Sequence, residues 1–256
     1  MCPGGNETSF AGQYFSYASE GDSTTNRVLQ VIGINPNVDH NWSDVWDQGG
    51  IYSYLTSSIN VKISSSSNDD NFSGIGARTA FLFGLDSNYN EINEIIVLNG
   101  QTEVLSQNSY FRIFNIYVFN AGSFFANVGD IYVGYGTVIN GVPLNVLAKA
   151  RSSLNRSFNC MYTIPAGYKA LYTDSSRDMS CGLIFTFKSL LRDNKNQSNV
   201  FMLGEELTIS ERSVNIISLQ APGLFNEKTD MSFNVRTEFG VGQFTIFFGL
   251  ILRKYA

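Results

Sequence analysis

The sequence predicts an all-β protein, built as a β-sandwich or a jelly-roll-like arrangement with an N-terminal arm. Three observations support this class. Only 15% of the 256 residues are Asp, Glu, Lys or Arg, against about 25% in an average soluble domain. Uncharged residues that favour turns replace them, with 26 Asn, 29 Ser and 23 Gly. Aromatic residues, which favour strands, make up 14% of the chain.

The same composition excludes several other protein classes. Disordered chains combine low hydrophobicity with high net charge, whereas this chain is 43% hydrophobic and carries a net charge of −5. A coiled coil requires abundant Ala, Glu, Lys and Leu, and a collagen-like chain requires Gly at every third position. The sequence therefore indicates a globular β protein of one large domain or two smaller ones.

The predicted N-terminal arm comprises residues 1–26. It ends in a polar stretch and shows no clear period. Four aromatic residues nevertheless lie in it, which is more than an idle tail needs: Phe10, Tyr14, Phe15 and Tyr17. The arm either packs on its own domain or lies over a neighbouring subunit, and the sequence leaves both options open.

From residue 27 onward, apolar residues follow the two-residue period of β-strands. Alternation, which predicts one buried and one solvated face, occurs at Ile59–Ser64, Phe158–Ile164 and Ser232–Phe239. Runs that are apolar on both faces predict strands between two layers or within an interface. They occupy Thr79–Phe83, Glu94–Leu98, Ile113–Phe119 and Phe244–Leu252.

Turn signals separate these runs, because Asn and Gly accept the positive φ that hairpin turns require. The predicted turns include Ser67–Asn71, Asp86–Asn90, Asn99–Gly100, Asn140–Gly141 and Pro165–Gly167. Short strands at this spacing are typical of sandwiches and jelly rolls.

One segment, Leu144–Leu154, has a spacing that also fits a helix, with Leu144, Leu147, Ala148 and Arg151 on one side. Its tail, Arg151–Asn155, supplies the predicted boundary between two β regions. The first region is 27–150 and the second is 151–256, and the two either form separate domains or pack as one.

Charge and hydropathy limit the partners. Lys and Arg are scattered, and the tightest basic group is Arg253–Lys254, so we expect no nucleic-acid binding. The longest apolar run, Phe244–Leu252, is far shorter than the roughly 20 residues of a spanning helix, so we expect no membrane association. No apolar stretch follows Met1, which predicts a soluble protein made in the cytoplasm.

Catalytic and metal-binding patterns are weak. The single histidine, His40, lies in a polar stretch that predicts a surface loop. Three widely spaced cysteines, Cys2, Cys160 and Cys181, form neither a disulfide framework nor a zinc motif. Asp86–Asn90 begins like a calcium loop but lacks the later Gly and Glu of that motif.

Two adjacent carboxylate pairs, Asp69-Asp70 and Glu205-Glu206, are expected to solvate turns rather than converge on a substrate. We therefore predict a protein that is not an enzyme and has no metal or cofactor.

One series of motifs resembles a family of tailed-bacteriophage virion proteins that is frequent in aquatic phages. The series covers residues 46–100 closely and 162–230 loosely. It reads Trp46-Asp47-Gln48-Gly49-Gly50, Ser64–Asp69, Gly74-Ile75-Gly76-Ala77-Arg78-Thr79, Gly84-Leu85-Asp86, Leu98-Asn99-Gly100, Tyr162–Gly167 and Glu227–Asp230. These motifs also have structural interpretations. Trp46 is an aromatic anchor beside a flexible turn, Arg78 is expected to pair with Asp86 or Glu94, and Leu98-Asn99-Gly100 is expected to be a hairpin turn.

The resemblance implies a structural virion protein, and we expect a capsid decoration or cement protein on the outside of the head. Its partners would be the major capsid protein and copies of itself, associated as a homotrimer. The candidate assembly contacts are Phe10, Tyr14, Phe15, Tyr17 and Trp46.

The alternative is a tail or fibre protein that binds host-surface glycan through Tyr, Trp, Asn and Asp side chains around Asn41–Tyr54. A glycan-degrading enzyme that uses Asp69 or Glu205 is a third and weaker hypothesis.

Overall fold

The computed structural model describes residues 26–180, 182–196, 199–209 and 217–255, and every regular element among them is a β-strand. The predicted all-β class is confirmed. The strands are β1 (Asn26–Val38), β2 (Ser43–Asp44), β3 (Ile59–Ser65), β4 (Ala77–Leu85), β5 (Glu91–Val97), β6 (Val104–Tyr110), β7 (Arg112–Ala121), β8 (Ile131–Ile139), β9 (Val142–Ala150), β10 (Tyr162–Thr163), β11 (Tyr168–Met179), β12 (Phe185–Asp193), β13 (Met202–Ile209), β14 (Ile217–Phe225), β15 (Thr229–Thr237) and β16 (Gly242–Lys254).

Two antiparallel sheets face each other in one part of the molecule. Sheet A has the order β1-β16-β11-β14, and sheet B has the order β10-β15-β12-β13, with β2 paired to β15. Aromatic rings fill the space between them, with Phe233 of β15 against Phe248 of β16 at 4.9 Å and Phe187 of β12 against Phe244 of β16 at 5.8 Å. These buried rings form the sandwich core that the aromatic-rich strands predict.

Two further sheets are built from the intervening residues. Sheet C has the order β6-β3-β8-β9, and sheet D has the order β5-β4-β7. The buried Tyr110 ring of β6 lies so close to Gly84 of β4 that a Cβ on this glycine would come within 2.9 Å of it. The absence of a side chain at Gly84 therefore allows this close approach between sheets C and D.

The first two strands pair with the last two. β1 runs antiparallel to β16 from Asn26↔Arg253 to Val38↔Gly242, and β2 pairs with β15 at Asp44↔Asn234. Residues 26–44 consequently belong to sheets A and B, whose other strands all follow residue 150. The division into 27–150 and 151–256 stays a prediction, and the pairing places β1 and β2 with the second region.

The helix that the spacing of Leu144–Leu154 allows is wrong. Residues 142–150 form strand β9, and Leu154 lies in the turn that follows. Leu144 is 77% exposed, whereas Leu147 and Ala148 are buried, so the leucines do not share one apolar stripe. Pairing with β8 from Ile139↔Val142 to Ile131↔Ala150 satisfies the backbone of this segment.

The solvated face expected along Ser232–Phe239 is wrong at Ser232 and Asn234, whereas Glu238 is exposed as expected. Ser232 and Asn234 are buried together with Phe233 and Val235. Both polar side chains donate hydrogen bonds to Asp44 Oδ1 of β2, a short strand that pairs with β15.

Two predicted hairpin turns are confirmed and one is wrong. Asp86–Asn90 joins β4 to β5, and Asn140-Gly141 joins β8 to β9 with φ values of 50° and 78°. Leu98-Asn99-Gly100 leads from β5 in sheet D to β6 in sheet C, so it is a crossing between sheets. Its Gly100 N–H donates to the carbonyl oxygen of Asp70.

Candidate functional site

The sequence-predicted assembly contacts fall in two places. Phe10, Tyr14, Phe15 and Tyr17 lie outside the described residues. Trp46 is 3% exposed, its indole N–H donates to the Gly50 carbonyl oxygen at 3.2 Å, and its ring meets Tyr52 edge to face at 5.0 Å. Trp46 is thus an anchor inside the fold. Its role as an assembly contact stays a prediction, and its burial leaves little of the ring for a partner to touch.

Asp47, next to Trp46, ties this motif to the second half of the chain. Its carboxylate accepts hydrogen bonds from the backbone N–H of Phe158 at 2.6 Å and from Arg151 Nε at 2.7 Å. Burial raises the pKa of Asp47 to about 6, against the lowering effect of these donors. The Trp-Asp-x-Gly-Gly motif therefore acts as a structural clip between residues 46–50 and 151–158.

Asp70 performs a similar task in the first half. Its fully buried carboxylate accepts four hydrogen bonds, from Ser65 Oγ at 2.6 Å and from the N–H groups of Ala77, Val128 and Gly129 at 2.7–2.8 Å. The Ser-rich stretch and the Gly-x-Gly-Ala segment fold around this one side chain. The expectation that Asp70 solvates a turn is wrong, because the loop folds inward over it.

Asp230 lies at the centre of a buried cluster with two arginines. It accepts hydrogen bonds from Arg112 of β7, Arg192 of β12 and Thr163 of β10, and it is fully buried. Burial raises the pKa of Asp230, but the charges of Arg112 and Arg192 outweigh this effect and hold the pKa below its usual value. The cluster joins sheet D to sheet B, so its chemistry is structural.

The remaining catalytic candidates do not converge. His40 is exposed in the loop after β1, as predicted, and Cys160 is a buried free thiol whose pKa is raised by burial. Cys2 and Cys181 lie outside the described residues. Within residues 26–180, 182–196, 199–209 and 217–255, no group of three or more His, Cys, Asp or Glu side chains could hold a metal ion.

The second acidic pair and Arg78 also differ from expectation. Glu205-Glu206 lies within β13 rather than in a turn, and Glu205 pairs with Arg177. Arg78 Nε donates to the Gly74 carbonyl oxygen at 3.1 Å. The two carboxylates expected to pair with Arg78 are used elsewhere: Glu94 accepts from the N–H groups of Gln107 and Asn108, and Asp86 caps its own turn.

The segment Asn41–Tyr54, which the sequence offers as a glycan-binding surface, buries several of its aromatic and acidic side chains. Trp46 and Tyr52 are buried, and Lys188 and Arg236 lie over the Trp42 ring at 4.0 and 4.9 Å. The acidic residues of the segment, Asp44 and Asp47, are buried too. These four buried side chains belong to the interior of the fold, whereas Trp42 is half-buried and Asn41 is exposed, and glycan binding by this segment stays a prediction.

Large apolar side chains are instead exposed on one side of sheet D. We call this side the outer face and define it by Phe81 of β4, Ile95 and Val97 of β5, and Tyr117 and Phe119 of β7. Ile95, Val97 and Phe119 are 53%, 49% and 64% exposed, and Phe81 lies opposite both Ile95 and Tyr117. The other side of the same sheet carries Ala80, Leu82, Ile96 and Ile116, which are buried in the core.

A second exposed group lies where sheet D ends. We call it the aromatic tip and define it by Phe72, Ile75, Phe124 and Phe125. The N–H of Phe124 donates to the Ile75 carbonyl oxygen at 2.9 Å, which holds the two loops together. Phe125 is 85% exposed and has a φ of 58°, a conformation that is costly for a bulky residue. Phe72 also lines a pocket with Ser73, Arg78, Thr79 and Asn120.

Comparison with known proteins adds little. No family model matches the sequence, and no curated protein matches it. Similar solved structures include that of infectious bursal disease virus Gt strain, with 12% identity over 91% of this chain and 78% of that chain and a TM-score of 0.16. The crystal structure of the infectious bursal disease virus VP2 subviral particle gives 7% identity over 91% and 77%, also with a TM-score of 0.16. At these TM-scores the likeness carries no argument.

Sequence reasoning missed the buried acids and the aromatic tip. Among the described residues, no helix is long and apolar enough to cross a bilayer.

The two-sided apolar runs Thr79–Phe83, Glu94–Leu98 and Ile113–Phe119 indicate a layer or interface on each side of these strands. The outer face of sheet D is one of these sides. Nothing local marked Asp230, whose partner Arg112 is 118 residues away, and the burial of Asp70 depends in part on the distant N–H groups of Val128 and Gly129.

Proposed function

We propose that this protein is a structural component of a tailed-phage virion, and specifically a decoration or cement protein on the outside of the head. The observation that carries the proposal is the contrast between the buried acidic side chains and the exposed apolar ones. Internal hydrogen bonds occupy the carboxylates of Asp47, Asp70 and Asp230. The outer face and the aromatic tip, in contrast, are exposed and apolar. Such surfaces fit protein contact better than catalysis.

The motif resemblance supports the same role at the level of the virion. Asp47 and Asp70, which belong to or adjoin the matching motifs, hold distant loops together. Motifs of this kind preserve a scaffold and leave the contact surfaces free to vary. The resemblance therefore agrees with a structural protein whose partners are set by its exposed side chains.

The proposed mechanism is mechanical. Each subunit buries apolar surface against the major capsid protein and against copies of itself, at about 25 cal/mol per Å² of apolar area. Apolar contacts keep their strength in salt, whereas exposed ion pairs are screened beyond about 10 Å at 0.1 M. Copies arranged around a capsid symmetry axis would form a closed homotrimer.

The experiment that tests this role is to locate the protein on purified particles. Imaging of intact virions, combined with quantitative mass spectrometry, should place it on the outer head surface at a copy number comparable with that of the major capsid protein. A copy number comparable with that of the tail proteins, or density at the tail, would contradict a decoration role. Absence from purified particles would contradict a virion role altogether.

A truncation tests the arm as an assembly contact. Because β1 begins at Asn26, deletion of residues 2–25 should abolish binding to particles and leave the β fold intact, as measured by co-sedimentation and circular dichroism. The matched control replaces Gln13 by Ser and should bind normally. Normal incorporation of the truncated protein would show that the arm is not the contact with the shell.

A further inference from the structure

The pocket beside the aromatic tip lies at the surface, where β4 begins. It has a volume of about 400 Å³ and is lined by Phe72, Ser73, Arg78, Thr79 and Asn120. Sites that bind small molecules typically measure about 300–1,000 Å³ and combine apolar walls with a few polar groups. The size and the mixture of side chains therefore suit a small ligand or one unit of a polymer.

A β-bulge in β4 brings Arg78 into this pocket. In the register with β7, Ala77 and Thr79 lie opposite consecutive residues, so Arg78 has no residue opposite it in that strand. Regular alternation would place Arg78 and Thr79 on opposite faces of the sheet, yet both line the same pocket. Bulges redirect side chains in this way and are over-represented beside functional sites.

The guanidinium of Arg78 is held in place but not neutralised. Its Nε donates to the Gly74 carbonyl oxygen at 3.1 Å, which ties the strand to the loop that carries Phe72. Among the residues that the structure describes, no carboxylate forms an ion pair with Arg78. A guanidinium in this state can bind a carboxylate through two parallel hydrogen bonds.

An exposed ring and neutral polar groups surround this cation. The Phe72 side chain is 73% exposed, so most of its apolar surface is available to a ligand. Ser73 and Asn120 add a hydroxyl and an amide. The Thr79 Oγ1 is buried and has no hydrogen-bond partner in the described part of the chain. Because an unpaired buried hydroxyl is costly, rotation of this side chain towards a polar ligand group is favourable.

The loop that carries Phe72 and Ser73 is fixed by its own hydrogen bonds. The Asn71 side-chain oxygen accepts from the N–H and the hydroxyl of Ser73, at 2.9 and 3.1 Å. The Gly74 N–H donates to the Asn71 carbonyl oxygen at 3.0 Å. A site that is already in place loses little conformational entropy when a ligand binds.

These groups together favour an acidic sugar. One unpaired arginine matches one carboxylate, whereas phosphate sites usually add backbone N–H groups or further cations. The hydroxyl and amide groups match the ring hydroxyls of a sugar, which the side chain of an acidic peptide lacks.

We propose that this pocket binds a carboxylate-bearing sugar unit of a glycan, with the carboxylate on Arg78, the apolar ring face on Phe72 and a ring hydroxyl on Asn120. The site is distinct from the segment Asn41–Tyr54, and the inference does not depend on the proposed decoration role.

The test is an NMR titration of the full-length protein with three probes of matched size. Methyl glucuronide carries both the carboxylate and the ring hydroxyls. Methyl glucoside has a hydroxymethyl group in place of the carboxylate, and N-acetylglutamate N-methylamide carries a carboxylate without a sugar ring. We expect methyl glucuronide to shift the backbone amide signals of Ser73, Thr79 and Asn120 with a Kd of about 1 mM, as suits about 14 non-hydrogen atoms. The other two probes should bind at least about tenfold more weakly, because each lacks one set of contacts.

Two variants with matched controls test the residues. Arg78→Met should weaken glucuronide binding at least about tenfold through loss of a charge-assisted pair, whereas Arg253→Met, at an exposed position of sheet A, should not. Phe72→Ala should weaken it about fivefold, whereas Phe125→Ala, at an exposed ring that does not line the pocket, should not. Because Phe72 lies outside the core, this variant tests the site even if Arg78→Met disturbs the loop.

Three outcomes would overturn the proposal. The first is the absence of a saturable shift with methyl glucuronide, or shifts confined to residues outside the pocket. The second is equal binding of methyl glucoside, which would remove the role of Arg78. The third is equal binding of the glutamate probe, which would indicate an acidic peptide as the ligand.

Discussion

At the scale of single residues, four buried aspartates each hold several segments of the chain together through hydrogen bonds. Asp44 accepts hydrogen bonds from Ser232, Asn234 and the N–H of Tyr52, and burial raises its pKa to about 6. Asp47, Asp70 and Asp230 are likewise buried and multiply bonded. A buried carboxylate is tolerated only when its oxygens are satisfied, so each of these acids fixes the position of several segments at once.

Asp70 gives the clearest prediction at this scale. Asp70→Asn replaces one acceptor oxygen by an NH₂ group that faces N–H donors, so a backbone N–H such as that of Gly129 loses its partner. We expect a loss of about 2–3 kcal/mol in the free energy of unfolding, measured by urea denaturation. The control is Asp69→Asn, at the exposed neighbouring position, which should change the stability by less than about 0.5 kcal/mol. Equal losses in the two variants would refute the assigned role of Asp70.

These acids also show where sequence reasoning stops at the residue scale. The composition of Ser67–Asn71 is that of an exposed turn, and four of its five residues do belong to an ordinary polar loop. The burial of Asp70 depends on Val128 and Gly129, which are 58 and 59 residues away. Arg78 illustrates the same limit, because the carboxylates near it in sequence have closer donors in space.

At the scale of elements, the alternation of apolar residues and the turn residues between them predict where the strands lie. Strand pairing in the sheets explains the segments that differ from these predictions. The spacing of apolar residues in Leu144–Leu154 also suits a helix. The segment pairs with β8 instead, because the tight Asn140-Gly141 turn places it directly beside that strand. The turn signal outweighs the weak helical spacing. Leu98-Asn99-Gly100 has hairpin chemistry too, but β6 pairs with β3 rather than β5, a choice that depends on sheet packing and not on the turn.

The β8–β9 hairpin provides a prediction about an element. Gly141 has a φ of 78°, and a Cβ there would lie 1.8 Å from the Ser65 carbonyl oxygen. Gly141→Ala therefore combines backbone strain with a clash against the backbone of β3. Gly167→Ala is the matched control, since Gly167 has a φ of 79° and no atom within 4 Å of the added Cβ.

We expect Gly167→Ala to cost about 1–2 kcal/mol from strain alone. Gly141→Ala should cost at least about 2 kcal/mol more, because relief of the clash requires backbone movement. Equilibrium urea unfolding of the two variants gives the difference. Similar losses in the two variants would mean that the backbone of β3 does not lie in contact with Gly141.

At the scale of the whole molecule, apolar side chains remain exposed on the outer face of sheet D and at the aromatic tip, which includes Phe72 and Phe125. Contiguous exposed apolar surface of this kind favours contact with another molecule.

A buried ion pair links sheet D to sheet B. Arg112 of β7 in sheet D donates two hydrogen bonds of 3.1 Å to Asp230 of β15 in sheet B. Sequence could not reveal this pair, because the two residues are 118 positions apart. The side chains are 5% and 0% exposed, so solvent does not screen them.

Breaking this link should destabilise the protein as a whole. Arg112→Met leaves Asp230 buried with Arg192 and Thr163 as its remaining partners, and we expect a loss of about 3 kcal/mol in the free energy of unfolding, near the lower end for a broken buried pair. Lys62→Met, which removes the more exposed Lys62–Glu103 pair, should cost less than about 1 kcal/mol. Urea unfolding followed by circular dichroism compares the two variants. If Arg112→Met lost no more stability than Lys62→Met, the buried pair would have no measurable role in joining sheet D to sheet B.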